Sequence, residues 1–302
     1  MHIGLSLEGR VTEGAWRLGD IQRAVRAAEK AGFDFVVLPD ETAAAGQAGS
    51  WPEATTTLAW LAASTDRIGL VSQASTVRHE PYNLARRFAS LDQISHGRIG
   101  WLAPLEADRA DFENFSGALR LGEADFDERA AEFIAIVHAL WRGWDADALV
   151  LDREGGRFFD PAKMHHLDHA GPHFSVRGPL NVARSPQGAP VIFSGTAGGS
   201  IAAKADVIIV DAETRPSADG ARTLRRIDLS KASTPVDAHR LETIATEDGL
   251  DGFLFVASSP DAAEFATGQL AADLRGRNLL RETYAGATLR DHLGLAQKGA
   301  AR

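Results

Sequence analysis

A glycine-rich turn before a helix can bind a phosphate group, and this chain has such a turn at Gly195–Gly199. Glycines let the backbone approach a phosphate closely, and the helix start offers unpaired N–H groups and the positive end of its dipole. Thr196 adds a hydroxyl donor. A plain glycine-rich turn explains the same residues, and spacing alone favours that simpler interpretation, because the G-x-G-x-x-G spacing of dinucleotide sites is absent.

Polar residues also follow two apolar runs in the first third of the chain. Asp40 comes after the run Phe33–Leu38, and Ser75 and Thr76 lie at the end of a second run that begins at Arg67. Asp40 has the chemistry to hydrogen-bond a ligand or act as a base, but an N-cap or a pair with a neighbouring arginine explains it equally well. The other polar or loop candidates at ends of apolar runs are Glu8, Glu41, Leu102–Glu106, Asp211 and Ala257–Ser259.

Several kinds of catalytic site are disfavoured. The chain has no cysteine, which excludes thiolate nucleophiles, disulfides and cysteine-ligated metals. No Gly-x-Ser-x-Gly turn is present. The spacing of His165, His166, His169 and His173 resembles a metal site, but no carboxylate partner is convincingly placed and the stretch is typical of a solvated loop. We therefore predict no metal, and the residue pattern identifies no catalytic residue.

The elements that must position these residues alternate between short apolar runs and amphipathic stretches, which predicts a parallel sheet with right-handed crossovers. An open doubly wound sheet gives the same early pattern, so length and strand count decide. A chain of 302 residues with eight candidate strands predicts a (β/α)8 barrel. The predicted strands, of which the seventh is weak, are Ile3–Leu7, Phe33–Leu38, Arg67–Ser75, Arg98–Ala103, Pro190–Phe193, Val207–Val210, Thr223–Leu229 and Gly252–Val256.

Helix signals complete this pattern. Asp20 is predicted to N-cap the first helix, and Asp125 with Glu128 has the spacing of a capping box that opens a longer one. The polar stretch from about 145 to 188 lacks a helical pattern and is predicted to be a functional insertion. No repeat or low-complexity linker divides the chain, so we expect residues 1–302 to form one domain.

Bulk properties limit the partners. The formal net charge is −9 and no stripe of Lys and Arg interrupts it, so we expect neither nucleic acid nor membrane as a partner. The N-terminal residues lack the basic and apolar regions of a secretion signal. We therefore expect a cytoplasmic protein.

Longer motifs resemble one family. The blocks 74–92, 97–101, 152–158, 169–188 and 283–295 are similar, in places almost residue for residue, to flavin-dependent monooxygenases of the bacterial luciferase superfamily. The similarity is to the branch that oxidises nitrilotriacetate, EDTA, pristinamycin and dibenzothiophene sulfone. It covers most of residues 1–210 and 250–295.

This resemblance implies a luciferase-type barrel that binds reduced FMN from a separate flavin reductase and uses O2 to oxygenate a small organic substrate. It further implies that Asp40 lies by the flavin ring, that Ser75 and Thr76 flank it, and that Gly195 and Thr196 hold the FMN phosphate. The resemblance assigns the insertion to an extended hairpin and loop, and it implies a homodimer.

The chain also departs from the pattern of the family that it resembles. Leu102–Leu105 replaces an Asn and a Thr or Ser expected on the fourth strand, and a tyrosine expected near Arg129 is missing. No histidine occurs in Glu8–Ala15, the Gly195 loop and its helix are about one turn short, and the region between the sixth and eighth strands is compressed into residues 212–250.

Three interpretations follow from these departures. The first, which we favour, is a working reduced-flavin monooxygenase or related oxidoreductase with a more open site. The second is a non-catalytic barrel that serves as a partner subunit or flavin-binding protein. The third is a barrel recruited to another reaction after losing its flavin site.

Overall fold

The computed structural model describes residues 1–9, 16–40, 51–104, 123–195, 199–211, 220–230 and 236–296. The strands in chain order are β1 (His2–Leu7), β2 (Phe35–Leu38), β3 (Gly69–Gln73), β4 (Ile99–Ala103), β5 (Leu149–Asp152), β6 (Arg157–Phe159), β7 (His169–Ala170), β8 (Ser175–Val176), β9 (Val191–Ser194), β10 (Val207–Val210), β11 (Arg222–Asp228) and β12 (Gly252–Ala257).

Eight of these strands close into a parallel barrel, in the order β1-β2-β3-β4-β9-β10-β11-β12 and back to β1. The predicted (β/α)8 barrel is confirmed, including its weak seventh strand, which is β11. That strand gives only a weak signal because most of its residues are polar, yet it pairs in register with β10 and β12 on either side. Pairing with its neighbours, rather than local hydrophobicity, makes β11 a strand.

The helices lie between the strands as expected. They are α1 (Leu18–Ala31), α2 (Ala54–Ala62), α3 (Pro81–Ile94), α4 (Glu123–Trp141), α5 (Gly199–Ala202), α6 (Ala238–Asp248), α7 (Pro260–Phe265), α8 (Ala271–Gly276) and α9 (Leu289–His292), with a π-helical turn at Ala266–Leu270 that joins α7 to α8. No helix in the described ranges is long and apolar enough to cross a membrane.

Two predicted helix starts are wrong. The N-cap of α1 is Arg17, and Asp20 lies in the first turn, where its carboxylate accepts the Arg17 backbone N–H at 2.9 Å. Asp20 therefore stabilises the helix start from inside the helix. The longer helix α4 already begins at Glu123, so Asp125 lies within its first turn rather than at its cap.

The interior of the barrel is filled by side chains from alternate strand positions, because successive residues of a strand point to opposite faces. The cluster includes Phe35, Val71, Phe193 and Leu224 from the strands and Leu289 from α9. Leu289 therefore packs α9 against the barrel interior. With the interior filled in this way, the fold leaves the C-terminal ends of the strands as the place for a ligand.

The predicted insertion forms two small antiparallel hairpins, β5–β6 and β7–β8, with a 3₁₀ turn at Pro161–Lys163 between them. This matches the expected extended hairpin and loop. Glu132 on α4 holds the second hairpin, since its carboxylate contacts His169 Nε2 at 2.7 Å and accepts the backbone N–H of His173 and Phe174, each at 3.1 Å.

Candidate functional site

The barrel brings most of the predicted site residues to one face. Asp40 follows β2, Ser75 and Thr76 follow the neighbouring β3, and Gly195 follows β9, which lies across β4 from β3. Since parallel strands share one C-terminal edge, all four lie on the face where barrels of this type bind ligands. Thr196 lies outside the described residues, as does Glu41.

Asp40 is engaged by the protein itself. Its Oδ2 accepts from Arg78 Nη1 at 3.1 Å, its backbone carbonyl accepts from the same nitrogen at 2.7 Å, and its Oδ1 accepts from the backbone N–H of Ala54 at 3.3 Å. Burial raises the pKa of this carboxyl, and the Ala54 N–H and the Arg78 guanidinium oppose that rise. The arginine pair left open by the sequence is thus present, and Asp40 links β2 to the start of α2.

Ser75 and Thr76 differ in how their hydroxyls are used. Ser75 Oγ accepts the backbone N–H of Val77 at 3.1 Å, which tightens the turn after β3. Thr76 is fully buried, and its Oγ1 has no hydrogen-bond partner among the described residues. Its backbone carbonyl accepts from Arg129 Nη1 at 2.9 Å. A buried hydroxyl without a partner costs about 1–3 kcal/mol, so Thr76 is the residue of this group that most requires an explanation.

Gly195 is exposed at the end of β9, and a Cβ added there would meet no atom within 4 Å. The protein's own packing therefore does not require glycine at this position. The helix that follows, α5, has one turn, as the sequence predicts. Open space beside the backbone is compatible with the close approach of a ligand group.

An open cleft of about 760 Å³ lies between the ends of β2 and β3 and the helices α2 and α3. Asp40, Glu53, Arg78 and His79 are among its lining residues. Burial lowers the pKa of His79 to about 4, so this imidazole is neutral at neutral pH, and its Nε2 has no hydrogen-bond partner in the part of the chain that the structure describes. The cleft is thus polar on one side and lies directly beside the predicted ring-binding residues.

The mouth of the barrel contains an ion pair that sequence patterns do not reveal. Arg226 on β11 donates from Nη2 to Glu8 Oε2 at 2.6 Å, and Ser6 Oγ donates to Glu8 Oε1 at 3.0 Å. Glu8 is a sequence candidate because it follows β1, whereas Arg226 is missed because β11 is a weak strand. Arg226 lies two residues after Leu224, whose side chain is in the barrel interior. Because side chains alternate along a strand, this spacing could have identified Arg226 as an inward-facing residue.

Three of the four clustered histidines have separate side-chain partners, and His173 is held through its backbone N–H. His165 Nε2 contacts Asp145 at 3.1 Å, His166 Nδ1 contacts the Gly178 carbonyl at 2.9 Å, and His169 contacts Glu132. The first two contacts lie within the insertion, and the third joins it to α4. Within the described ranges, no three His, Asp or Glu side chains are grouped closely enough to hold a metal ion.

Comparison with known proteins gives the same family as the motifs. The sequence model of the family described as luciferase-like monooxygenase matches residues 1–295. The chain is 38% identical to a component of the pristinamycin IIA synthase of Streptomyces pristinaespiralis over 93% of this chain and 90% of that protein. It is 39% identical to N-acetyl-S-(2-succino)cysteine monooxygenase of Bacillus subtilis (strain 168) over 67% of this chain and 47% of that protein.

Solved structures share the fold. The structure of a riboflavin lyase with a modified FMN and its substrate riboflavin superposes with a TM-score of 0.85 over 98% of this chain and 96% of that one, at 23% identity. At this identity the similarity shows the fold alone. The chain spans about half the length of several curated relatives, including the Bacillus enzyme, but 90% of the pristinamycin IIA synthase component.

Proposed function

This chain belongs to the luciferase-like monooxygenase family, and on that basis we propose that it is the oxygenating component of a two-component system. In this proposal it binds reduced FMN supplied by a separate flavin reductase and oxidises a small organic substrate with O2. The observation that carries the proposal is the family match over residues 1–295 together with a closed barrel whose strand ends bring Asp40, Thr76 and Gly195 to one face.

The residues at this face are compatible with a bound flavin. The open backbone at Gly195 is suited to the phosphate, with Thr196 beside it in sequence, and Thr76 Oγ1, which has no partner among the described residues, lies buried behind the same face. Asp40, held by Arg78 and Ala54, would form a rigid wall rather than a mobile base. When bound, reduced FMN would supply the electrons that activate O2, and the surrounding side chains would orient it and exclude water.

A second candidate function is a flavin-binding partner subunit without its own activity. The observation that favours it is Leu102, whose apolar side chain occupies a strand position where the family resemblance implies a polar group, and which packs against the interior cluster. Its register partner on β9 is Phe193. Loss of a polar contact there would weaken the hold on the flavin ring by about 1–3 kcal/mol.

The test is turnover in a reconstituted system. The purified chain is combined with a flavin reductase, NADH, FMN and O2, and organic substrates that include N-acetyl-S-(2-succino)cysteine, nitrilotriacetate and dibenzothiophene sulfone are screened for oxygenated product by mass spectrometry. We expect a product that contains one atom from ¹⁸O2 and depends on the chain. FMN binding without any such product would favour the non-catalytic function.

We further propose that residues 1–302 form one domain, that the protein assembles as a homodimer, and that it works in the cytoplasm. Sedimentation analysis of the purified chain measures the assembly directly. A monomer at micromolar concentration would contradict the proposed dimer.

A further inference from the structure

Arg226 is a charged residue on the inner face of β11, next to the apolar interior cluster. The strand β11 alternates, and Leu224, two residues before Arg226, belongs to the interior cluster together with Leu254 on the neighbouring β12. Arg226 pairs in register with Leu254. Its guanidinium reaches Glu8 after β1, which lies on the far side of β12. The side chain therefore crosses the inner face of β12, at the C-terminal mouth of the barrel.

A charged side chain in this position contributes little to the stability of the fold. A buried or half-buried ion pair loses solvation, and apolar residues of similar volume often stabilise a protein as well or better. The Arg226 and Glu8 side chains are about one-third exposed, at 32% and 30%, so both are accessible from the mouth. Accessibility from the solvent side allows the pair to contact a ligand that enters the barrel.

The donors and acceptors of this pair are used unequally. Glu8 accepts one bond on each oxygen, from Arg226 Nη2 and from Ser6 Oγ. A guanidinium has five N–H donors, and among the described residues Arg226 donates only to Glu8. Glu8, which also accepts from the buried Ser6, holds one N–H of the guanidinium, and the other side-chain donors of Arg226 have no partner among the described residues. Such a planar fork matches the two oxygens of a carboxylate or similar anion.

We propose that Arg226 binds an anionic oxygen group, of the carboxylate class, at the barrel mouth, with Glu8 as the positioning residue. This rests on the proposed function in taking the mouth as the substrate site, and it narrows the substrate to organic acids. The partly exposed apolar side chain of Leu102 on β4, which packs against the interior cluster, would lie near the rest of such a molecule.

The FMN phosphate is also an anionic oxygen group, so the test must distinguish binding of a substrate carboxylate from binding of the FMN phosphate. The ends of β9 and β11 are two strand spacings apart, about 10 Å, which places Arg226 away from the Gly195 turn. We therefore expect Arg226 to bind the substrate rather than the cofactor. Succinate serves as the anionic probe and succinamide as its neutral analogue, and FMN and riboflavin form the corresponding pair for the cofactor.

The experiment compares the wild type with Arg226→Gln and Arg226→Lys. The control is Arg225→Gln, which removes the same charge from the outer face of β11, where Arg225 contacts Asp248. Saturation-transfer NMR measures succinate binding without flavin, and fluorescence titration measures FMN and riboflavin. We expect Arg226→Gln to weaken succinate binding at least about tenfold, Arg226→Lys to keep part of it, and the control to keep it all, with melting temperatures used to verify folding.

Each outcome has a definite meaning. If the ratio of FMN to riboflavin affinity is unchanged in Arg226→Gln while succinate binding is lost, Arg226 binds a substrate anion. If that ratio collapses and succinate is unaffected, the arginine binds the FMN phosphate and the organic-acid assignment is overturned. The proposal is also overturned if Arg226→Gln binds succinate and FMN as tightly as the wild type does. It is likewise overturned if the wild type binds succinamide as tightly as succinate. A wild type that binds succinate but not FMN would instead count against the proposed flavin function.

Discussion

At the scale of single residues, the strongest clue to a ligand is the unpartnered hydroxyl of Thr76. Ser75, its neighbour, is fully explained by the turn that it stabilises, and Asp40 is fully explained by Arg78 and Ala54. Thr76 Oγ1 is buried without a bond. Because Thr76 is fully covered, a flavin ring at this face would bond its hydroxyl only after local rearrangement of the covering residues.

Replacing Thr76 with valine tests this interpretation. Because valine has nearly the same shape and no unpaired hydroxyl, Thr76→Val should leave the free energy of unfolding unchanged or raise it by up to about 1 kcal/mol. If the hydroxyl bonds the flavin, the same change should weaken FMN binding about tenfold, measured by fluorescence titration.

Thr57 provides a matched control, because its hydroxyl is already bonded to the Glu53 carbonyl at 2.9 Å. Thr57→Val should lower stability by about 0.5–1.5 kcal/mol and leave FMN affinity unchanged. If Thr76→Val loses stability in the same way and keeps its FMN affinity, the hydroxyl has a structural role and not a binding one.

At the scale of elements, the end of the insertion is fastened to the barrel by one buried carboxylate. Asp92 on α3 accepts from the backbone N–H of Ile99 at 2.9 Å and from Gln187 Nε2 at 2.7 Å, and it also bonds the Ser185 hydroxyl. Asp92 thus links α3, β4 and the last residues of the insertion. Complete burial raises its pKa to about 6, against the hydrogen bonds that favour the charged form.

This raised pKa predicts a pH dependence of a definite sign. The folded carboxyl keeps its proton up to about pH 6, whereas the unfolded one releases it near the ordinary aspartate pKa, so stability contributed by Asp92 is lost as pH rises from about 4 to about 6. The loss should be on the order of 2–3 kcal/mol.

Urea unfolding of wild type and Asp92→Asn at a series of pH values measures this contribution. The unfolding free energy of the wild type minus that of Asp92→Asn should fall as pH rises from about 4 to about 6 and should stay constant at higher pH. A difference that instead grows with pH would mean that the folded protein favours the charged carboxylate.

The sequence predicts elements better than it predicts their polar partners. Seven of the eight barrel strands are predictable because they are apolar runs. The remaining one, β11, has a weak pattern and is predicted because a closed barrel needs eight strands. The cap position predicted for Asp20 is wrong because its bond runs backward to Arg17 from within the helix. The Arg226–Glu8 pair joins residues 218 positions apart, and no local pattern carries such a contact.

At the scale of the whole molecule, the barrel agrees with the family, whereas the sequence resemblance predicts a reduced site. The Gly195 turn is followed by the one-turn helix α5, and Leu102 lies where the family resemblance implies a polar residue. Whether this face still binds FMN is therefore the central question about the protein. The answer depends most on the phosphate, because the glycine-rich turn is compatible with phosphate binding by its residue chemistry and is assigned to the phosphate by the family resemblance.

The most direct measurement is an anaerobic titration of the protein with reduced FMN and with reduced riboflavin, which lacks the phosphate. It is performed on the wild type, on Gly195→Ala, and on Gly268→Ala as a control in the π-helical turn, where an added Cβ also meets no neighbour. All three should fold equally well.

We predict that the wild type binds reduced FMN with a Kd in the micromolar range and riboflavin at least about tenfold more weakly. Gly195→Ala should remove most of that preference, and Gly268→Ala should retain it. Equal affinity for FMN and riboflavin in the wild type, or no binding of either below about 1 mM, would contradict the proposed flavin site.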